Sequence, residues 1–345
     1  MARGKFTMNG DLNDRIDAMT ATSGTIDPLR RVLVIFPGAL GDFVCVVPAI
    51  EAIAARHWGA MIELMARAEL ARLATGRTAI ARGYSMDAPH VSRLFNESSA
   101  TDSEAREFFA GYERIYSFFA SDDARFRKAL GAATDGEVSF HPFRAEDNCP
   151  GERHLAAAYL RSVGAPDAPM RPRIEPSRED LQAASDAIAS LGCDPSNLIA
   201  IFPGSGSPAK NWPFDKFATL ARMLSERARA VFILGPAESA IEHRLREYDL
   251  PVLKDLDLST IAGIARLVSG FVGNDSGVSH LAAAAGAPGV VIFGPTEPAR
   301  WRPLGRIVVL DSAVEPDEVA AAVTQICRDH DSDAPKRHRV EKHVL

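Results

Sequence analysis

Residues 270–285 read GFVGNDSGVSHLAAAA: a short apolar run, a glycine-containing turn and an alanine-rich segment. This order predicts a buried strand, a tight turn and a helix that begins near Gly277. The first backbone N–H groups of a helix lack acceptors within it, and the helix dipole adds positive charge, so such a start can bind an anion. The polar residues at this start are Asp275, Ser276, Ser279 and His280. An ordinary capped helix explains the stretch equally well, and a packing role is the alternative for His280.

A second junction of this kind lies near the beginning of the chain. The run RVLVIF at residues 31–36 is typical of a buried parallel strand, and PGALGD follows it at residues 37–42. Gly38 and Gly41 allow a tight turn and a close approach of the backbone to a ligand. Because open α/β sheets bind ligands at the carboxyl ends of their strands, we expect Asp42 to border a site. The glycines lack the GxGxxG spacing, so an ordinary dehydrogenase-type dinucleotide site is a poor fit.

A third junction opens the second half of the chain. The run LIAIF at residues 198–202 predicts a strand, and PGSGSPAK follows it at residues 203–210. The N–H and hydroxyl groups of this loop can surround phosphate oxygens, and a lysine can add positive charge. Its candidate ligand-binding residues are Ser205, Gly206, Ser207 and Lys210. A polar turn with a surface lysine is the alternative. Together with the helix start at Gly277, this loop predicts a diphosphate ligand.

Two further strand ends supply candidate residues. Glu238 follows the predicted strand at residues 230–234 and could accept hydrogen bonds from ribose hydroxyls, although a surface glutamate is an equally good interpretation. Thr296 lies in FGPT at residues 293–296, where it would close over a ligand or simply begin a turn. Both residues follow strands of the same half of the chain, so we expect them on one edge of the sheet.

Strands alternate with helical segments along the chain, which predicts parallel sheets wrapped by helices. Prolines accumulate at residues 164–176 and indicate a linker. The predicted architecture is α/β, with two Rossmann-like, doubly wound parallel-sheet domains that face each other across a cleft. The expected divisions are a flexible lead-in at 1–29, a first domain at 30–176, a second domain at 177–312, a closing helix at 313–328 and a polar basic tail at 329–345.

The composition excludes several classes of protein. With 39 basic and 45 acidic residues the net charge is −6, which argues against a general nucleic-acid binder. The four cysteines form no CxxC pair, so a disulfide framework or structural zinc site is not expected, and a reducing cytoplasm fits best. No apolar run reaches the roughly 20 residues that span a bilayer. A basic cluster near the end could touch anionic lipid, with a solvated tail as the alternative; it comprises Lys336, Arg337, Arg339 and Lys342.

Taken together, the glycine-rich segments resemble glycosyltransferase family 9, the heptosyltransferases of lipopolysaccharide core assembly. The segments are PGALGD at 37–42, PGSGSPAKNWP at 203–213, GNDSGVSHLA at 273–282 and FGPT at 293–296. Their order and spacing fit the family, and the resemblance covers about residues 31–328. It implies a GT-B fold, with an N-terminal acceptor domain, a C-terminal nucleotide-sugar domain and a closing helix that returns to the first domain.

The resemblance also implies roles for single residues. Asp42 matches the family's proposed catalytic base, Lys210 the lysine at the donor phosphates, and Glu238 approximately the ribose-binding acid. The start of the donor-binding helix matches at Asp275, Ser276, Gly277 and His280. The family is inverting and metal-independent and typically uses ADP-heptose, so we expect no metal and no cofactor. The expected partners are a nucleotide-sugar donor and a glycan or glycolipid acceptor, met in the cytoplasm or at the inner face of the cytoplasmic membrane.

The acceptor side of the sequence carries less information. Basic residues in the first domain could meet a phosphorylated sugar or lipid, with solvated surface as the alternative; they are Arg67, Arg82, Arg93, Arg144 and Arg153. Two other functions stay open on the sequence alone. A nucleotide-sugar 2-epimerase would share the two-domain fold and need no acceptor, and a non-catalytic protein could have kept the nucleotide-sugar site.

Overall fold

The computed structural model describes residues 27–95, 103–144, 154–225 and 228–333. Two parallel β-sheets flanked by helices form two α/β domains, which confirms the predicted fold class. Most of the expected lead-in, the basic cluster of the tail and Arg153 lie outside the described residues.

The first domain is built on a five-stranded parallel sheet with the order β3-β2-β1-β4-β5. Its strands are β1 (Asp27–Ile35), β2 (Ala60–Ala66), β3 (Arg82–Ser85), β4 (Arg114–Ser117) and β5 (Glu137–Phe140). Its helices are α1 (Leu40–Arg56), α2 (Ala68–Ala74), α3 (Pro89–Arg93), α4 (Ser103–Phe109), α5 (Ala124–Ala133) and α6 (Leu155–Ser162). The chain first adds β2 and β3 on one side of β1 and then adds β4 and β5 on the other side. The junction of β1 with α1 therefore lies at the switch point of the sheet, where such folds bind ligands.

The second domain has a six-stranded parallel sheet with the order β11-β10-β9-β6-β7-β8. Its strands are β6 (Leu198–Phe202), β7 (Arg229–Leu234), β8 (Val252–Lys254), β9 (Gly270–Asn274), β10 (Gly289–Phe293) and β11 (Ile307–Asp311). Its helices are α7 (Arg178–Ala189), α8 (Phe214–Leu224), α9 (Ser239–Glu247), α10 (Leu258–Leu267), α11 (Gly277–Ala284), α12 (Pro298–Trp301) and α13 (Pro316–Asp333). Here the switch point lies between β6 and β9, whose following loops carry the predicted phosphate-binding residues.

The central strands bury every residue, because helices cover both faces of each sheet. In β6, β9 and β10 all five residues are buried. A glycine is required where side chains crowd this core: a Cβ atom on Gly289 would lie 2.3 Å from the ring of Phe271 on the neighbouring strand. Continuous apolar runs of this kind are what made these strands predictable from the sequence.

The last described helix, α13, corrects one expectation. The resemblance implied a closing helix that returns to the first domain, but α13 packs against α8 and against β9, β10 and β11 of the second domain. Its inward side chains Val319 and Val323 are fully buried in the core that also contains Phe217 of α8. These apolar contacts hold α13 on its own domain.

The two domains meet along α1 and α11, which pack against each other. The linker runs beside both domains: the N–H of Ile174 donates to the carbonyl of Ala284, and the N–H of Glu175 donates to the carbonyl of Arg77. Arg77 in turn forms a two-point ion pair with Asp180 of α7, with 2.7 Å between Nη2 and Oδ1. This helix pair and this ion pair are two of the contacts that join the domains. No helix in the described part of the chain combines the length and apolarity that a bilayer crossing requires.

Candidate active site

A cleft of about 330 Å³ opens between the two domains at the switch points of both sheets. One wall is the start of α1, at Ala39, Leu40 and Gly41. The opposite wall comes from strand ends of the second domain, whose lining residues are Gly204, Ser205, Gly206, Gly235, Pro236, Glu238, Ser276, Gly277 and Val278. The structure thus brings together the glycine turns that follow β1, β6 and β9.

The start of α11 has the form that the sequence predicts. Ser276 is the N-cap: its backbone is extended, and its Oγ accepts the N–H of Ser279 at 3.4 Å. Ser276 and Gly277 border the cleft, so the free N–H groups and positive dipole end of this first turn lie at its wall. A negatively charged group in the cleft would be stabilised there.

The loop after β6 holds its shape through its own serines. The Ser205 hydroxyl donates to the carbonyl of Ser207 at 2.7 Å and accepts the Ser207 N–H at 3.2 Å. A Cβ atom on Gly206 would meet no heavy atom within 4 Å, so this residue faces open space. The loop is therefore a preformed backbone turn beside the α11 start, with Gly206 exposed.

Glu238 lies across the mouth of this loop. Its Oε2 accepts the N–H of Gly235 at 2.8 Å, and its Oε1 occupies the space that a side chain on Gly204 would need. Three apolar side chains continue this end of the cleft: Leu256, Leu258 and Ile261. No sequence pattern predicted these three residues, because they follow β8, a three-residue strand without a recognisable motif. A carboxylate next to an apolar slot can hold a ribose hydroxyl pair beside a flat nucleobase.

Lys210 forms a compact polar cluster beside the cleft. Its Nζ lies 2.7 Å from Oδ2 of Asp275, and the Thr296 hydroxyl donates to the same oxygen at 2.6 Å. Asp275 is buried and immediately precedes Ser276 of the cleft wall. The predicted residues Lys210, Asp275 and Thr296 are therefore brought together. The aspartate neutralises the lysine charge, and none of the three is among the residues that line the cleft.

Ser279 and His280 lie behind the cleft wall. Ser279 is fully buried, and its hydroxyl donates to the carbonyl of Asn274 at 2.7 Å. The His280 ring faces the first domain, with Nδ1 3.9 Å from Sγ of Cys45 and a hydrogen bond to the backbone of Trp301. Burial lowers the pKa of His280 to about 4, so the ring is neutral at pH 7. Both residues hold the helix start in place without reaching the cleft.

Asp42 is the third residue of α1 and is only 5% exposed. Arg144 binds it side-on: Nε lies 3.1 Å from Oδ1 and Nη2 lies 2.8 Å from Oδ2. Gly38 makes room for this arrangement, because a Cβ atom there would lie 2.4 Å from the Phe36 ring and 2.9 Å from the Cβ of Asp42. The two hydrogen bonds fix the orientation of the carboxylate. Asp42 follows Gly41 of the cleft wall in the chain but is not itself among the residues that line the cleft.

Three other basic residues predicted for the acceptor side are described by the structure, and none of them pairs with Asp42. Arg82 contacts Glu63 and Tyr84, Arg93 pairs with Glu104, and Arg67 is exposed before α2. The described residues contain no group of three His, Cys, Asp or Glu side chains placed to hold a metal ion.

A model of glycosyltransferase family 9 (heptosyltransferase) matches residues 150–322, half of the chain. The chain belongs to glycosyltransferase family 9. This confirms the family that the glycine-rich segments resemble, and with it the glycosyltransferase class of enzyme.

Two curated relatives and one solved structure illustrate the match. Lipooligosaccharide heptosyltransferase 2 of Haemophilus influenzae is 32% identical over 170 residues, which are 44% of this chain and about half (49%) of that relative. Lipopolysaccharide heptosyltransferase 2 of Escherichia coli is 25% identical over 304 residues, covering 79% of this chain and 85% of the relative. The solved Escherichia coli ADP-heptose lipopolysaccharide heptosyltransferase II superposes with a TM-score of 0.71 at 19% identity, covering 87% and 99% of the two chains. This superposition supports the GT-B arrangement of the two domains.

Proposed function

We propose that this member of the family transfers a heptose from ADP-heptose to a lipopolysaccharide-core or similar glycan acceptor, with inversion and without a metal ion. The relatives named above are heptosyltransferases, and one of the similar solved structures is described as an ADP-heptose enzyme. The observation that carries the proposal is the cleft itself. It combines an apolar slot, a carboxylate, a glycine–serine loop and a helix start along one wall, opposite the helix that carries Asp42.

In the proposed complex the donor lies along this wall. The nucleobase would occupy the slot at Leu256, Leu258 and Ile261, and the ribose would reach Glu238. The diphosphate would then lie on the loop around Ser205 and at the start of α11. Lys210 supports the phosphates from the side, since a dianionic group at the α11 start competes with Asp275 for its ammonium group.

In the proposed reaction, Asp42 accepts the proton of an acceptor hydroxyl whose oxygen attacks the anomeric carbon. The bond from that carbon to the β-phosphate oxygen breaks on the opposite face, and ADP leaves with the electron pair. The transition state resembles an oxocarbenium ion while negative charge grows on the phosphate. Helix and loop N–H groups aimed at this charge stabilise it where it develops.

The first experiment is a calorimetric binding panel of ADP, UDP, GDP and CDP, without added metal and again with EDTA. We expect ADP to bind best, with the same affinity in EDTA. A preference for UDP or GDP would retain the fold and discard ADP-heptose as the donor. No binding to any of the four would contradict the transferase proposal, and lost binding in EDTA would contradict metal independence.

A transfer assay then tests the acceptor. ADP-heptose is supplied with a deacylated, heptose-deficient lipopolysaccharide core, and ADP release and the anomeric configuration of the product are measured. We expect product only when both substrates are present, with the anomeric configuration inverted. Conversion of the donor sugar without acceptor would instead favour the 2-epimerase alternative. A lipid-linked acceptor would place the reaction at the inner face of the cytoplasmic membrane.

A further inference from the structure

Arg144 stands out because it joins the buried carboxylate of Asp42 to the opposite domain. The side-on pair with Asp42 uses Nε and Nη2 together, the two-point geometry that fixes a carboxylate in plane. The partners differ in environment: the Asp42 side chain is 5% exposed, whereas the Arg144 side chain is 52% exposed. The arginine therefore covers the carboxylate from the solvent side.

The guanidinium group is itself held by aromatic rings from both domains. It lies 5.1 Å from the ring centre of Phe143 and 5.5 Å from that of Trp301. Phe143 belongs to the first domain, while Trp301 ends α12 of the second. Stacking on aromatic faces suits a planar guanidinium and restricts its motion.

Trp301 is connected in turn to the predicted donor-binding helix. Its backbone forms a hydrogen bond with the ring of His280, in the first turn of α11. A continuous set of contacts therefore runs from the α11 start through His280, Trp301 and Arg144 to Asp42. It crosses the domain boundary beside the cleft and uses groups that the donor itself need not touch.

We propose that Arg144 is a positioning residue that orients Asp42 for proton abstraction, with Trp301 holding the guanidinium across the domain boundary. This inference rests on the proposed function, in which Asp42 is the base. Each carboxylate oxygen has further lone pairs besides those that accept from Arg144, so the pair leaves Asp42 able to accept an acceptor hydroxyl. The arginine restricts rotation of the Asp42 carboxylate. This matters because a misplacement of a catalytic group by about 1 Å can cost about 10²-fold in rate.

The kinetic test compares Arg144→Lys, Arg144→Gln and Trp301→Leu with the wild type, using ADP-heptose and a deacylated heptose-deficient core. We expect kcat to fall about 10²-fold in Arg144→Gln, because one fixed orientation is lost. ADP affinity should change less than about threefold, since Arg144 does not line the donor wall. The kcat of Arg144→Lys should be nearly as low as that of Arg144→Gln, because an ammonium group cannot bind both carboxylate oxygens with the two-point geometry of a guanidinium. The matched control is Arg106→Gln, which removes a surface pair with Asp135 and should leave kcat unchanged.

Two further readouts separate positioning from a general structural role. Added guanidinium should partly restore turnover to Arg144→Ala and should leave the turnover of the Arg106→Gln control unchanged. Trp301→Phe should keep most of the activity, because a ring remains under the guanidinium, whereas Trp301→Leu should not. Unchanged kcat in Arg144→Gln, or loss of ADP binding in step with kcat, would overturn the proposal.

A stability cycle tests the ion pair without reference to substrates. Unfolding of wild type, Asp42→Asn, Arg144→Gln and the double variant is measured by urea denaturation. We expect the double variant to be less destabilised than the sum of the two single changes, since removing one partner leaves the other unpaired. If the two substitutions act additively on stability and the wild-type enzyme transfers heptose, the positioning role of Arg144 is contradicted and the proposed function is not. If Asp42 and Arg144 are coupled in stability but the wild-type protein transfers no heptose, the proposed function is contradicted, and the positioning role is contradicted with it.

Discussion

Gly277 lies directly against Gly41 at the boundary between the two domains. A Cβ atom on Gly277 would stand 3.0 Å from the backbone nitrogen of Gly41 and 2.9 Å from the Cβ of Leu40. Both glycines also border the cleft. The absence of a side chain at this point therefore sets how closely the two helix starts approach and how narrow the cleft is.

Gly277→Ala should destabilise the protein by about 1–3 kcal/mol, because a methyl group must be forced into a closed contact. Urea unfolding measures the change, and ADP calorimetry should show weaker binding to the displaced α11 start. The matched control is Gly131→Ala in α5, where a Cβ atom meets nothing within 4 Å. That change should stabilise by about 0.4–1 kcal/mol, since alanine restricts the unfolded chain. Equal effects of the two substitutions would show that the domains are not in contact at Gly277.

Asp42→Asn should lower kcat about 10²–10⁴-fold while ADP affinity stays near that of the wild type, because the proposed base acts on the acceptor proton and not on the nucleotide. Initial rates of ADP release and calorimetry give the two quantities. Asp135→Asn, at an exposed surface position, is the control and should leave both unchanged. An Asp42→Asn variant with most of its activity would remove Asp42 as the base.

Lys210→Met should weaken ADP binding about 10–100-fold, since a hydrogen bond to a charged group contributes about 1.5–3 kcal/mol. Methionine keeps much of the side-chain volume, and thermal unfolding checks whether unpaired Asp275 destabilises the fold. Lys128→Ala, an exposed lysine of α5, serves as the control. If ADP binds the Lys210 variant as tightly as it binds the wild type, the lysine takes no part in holding the diphosphate.

Stability should fall as pH drops below about 6.5, in part through His280. Burial lowers the pKa of this ring to about 4, against about 6.5 in the unfolded chain, while the neighbouring Asp275 and Asp42 oppose the shift. Between these pH values the unfolded state binds the proton and the folded state does not, so the free energy of unfolding rises with pH across this window. Above about pH 6.5 the contribution of His280 to stability has its full value. Burial lowers the pKa of His154 as well, which adds to the same trend.

The His280 contribution can be isolated by comparing His280→Gln with the wild type in urea unfolding at pH 7.5 and 4.5. The wild type should lose roughly 2–3 kcal/mol more than the variant between these pH values. His243→Gln, at an exposed position of α9, should retain the wild-type pH dependence. Identical pH dependence in the wild type and His280→Gln would mean that the ring is protonated as easily when folded as when unfolded.

The fold was predictable where single strands are fully buried. The run 198–202 coincides with β6, whose five consecutive apolar residues are all buried, as in the central strand of a parallel sheet. The strands β3 and β8 were not predicted, because they lie on sheet edges and lack such an apolar run. Residues 82–85 read RGYS on an edge of the sheet, and β8 has only three residues, so neither shows a hydrophobic pattern.

The candidate site was predictable in its backbone and much less so in its side chains. Glycine turns after strands are local features, so the cleft walls at Gly41, Ser205 and Gly277 followed from the sequence. The pair of Asp42 with Arg144 joins residues 102 positions apart, which no local pattern encodes. In α11 nearly every side chain is buried, so periodicity could not indicate that His280 faces the first domain and not the cleft.

The packing of α13 on its own domain has a consequence for how such enzymes can diversify. Within the described residues the backbone passes between the domains once, at residues 164–176, so the second domain is one uninterrupted stretch of chain. Exchange at that single connection would supply a different first domain and would leave the residues of the second-domain cleft wall unchanged. A functional hybrid would need to preserve the close fit at Gly277 and a partner for Asp180, together with an arginine above Asp42.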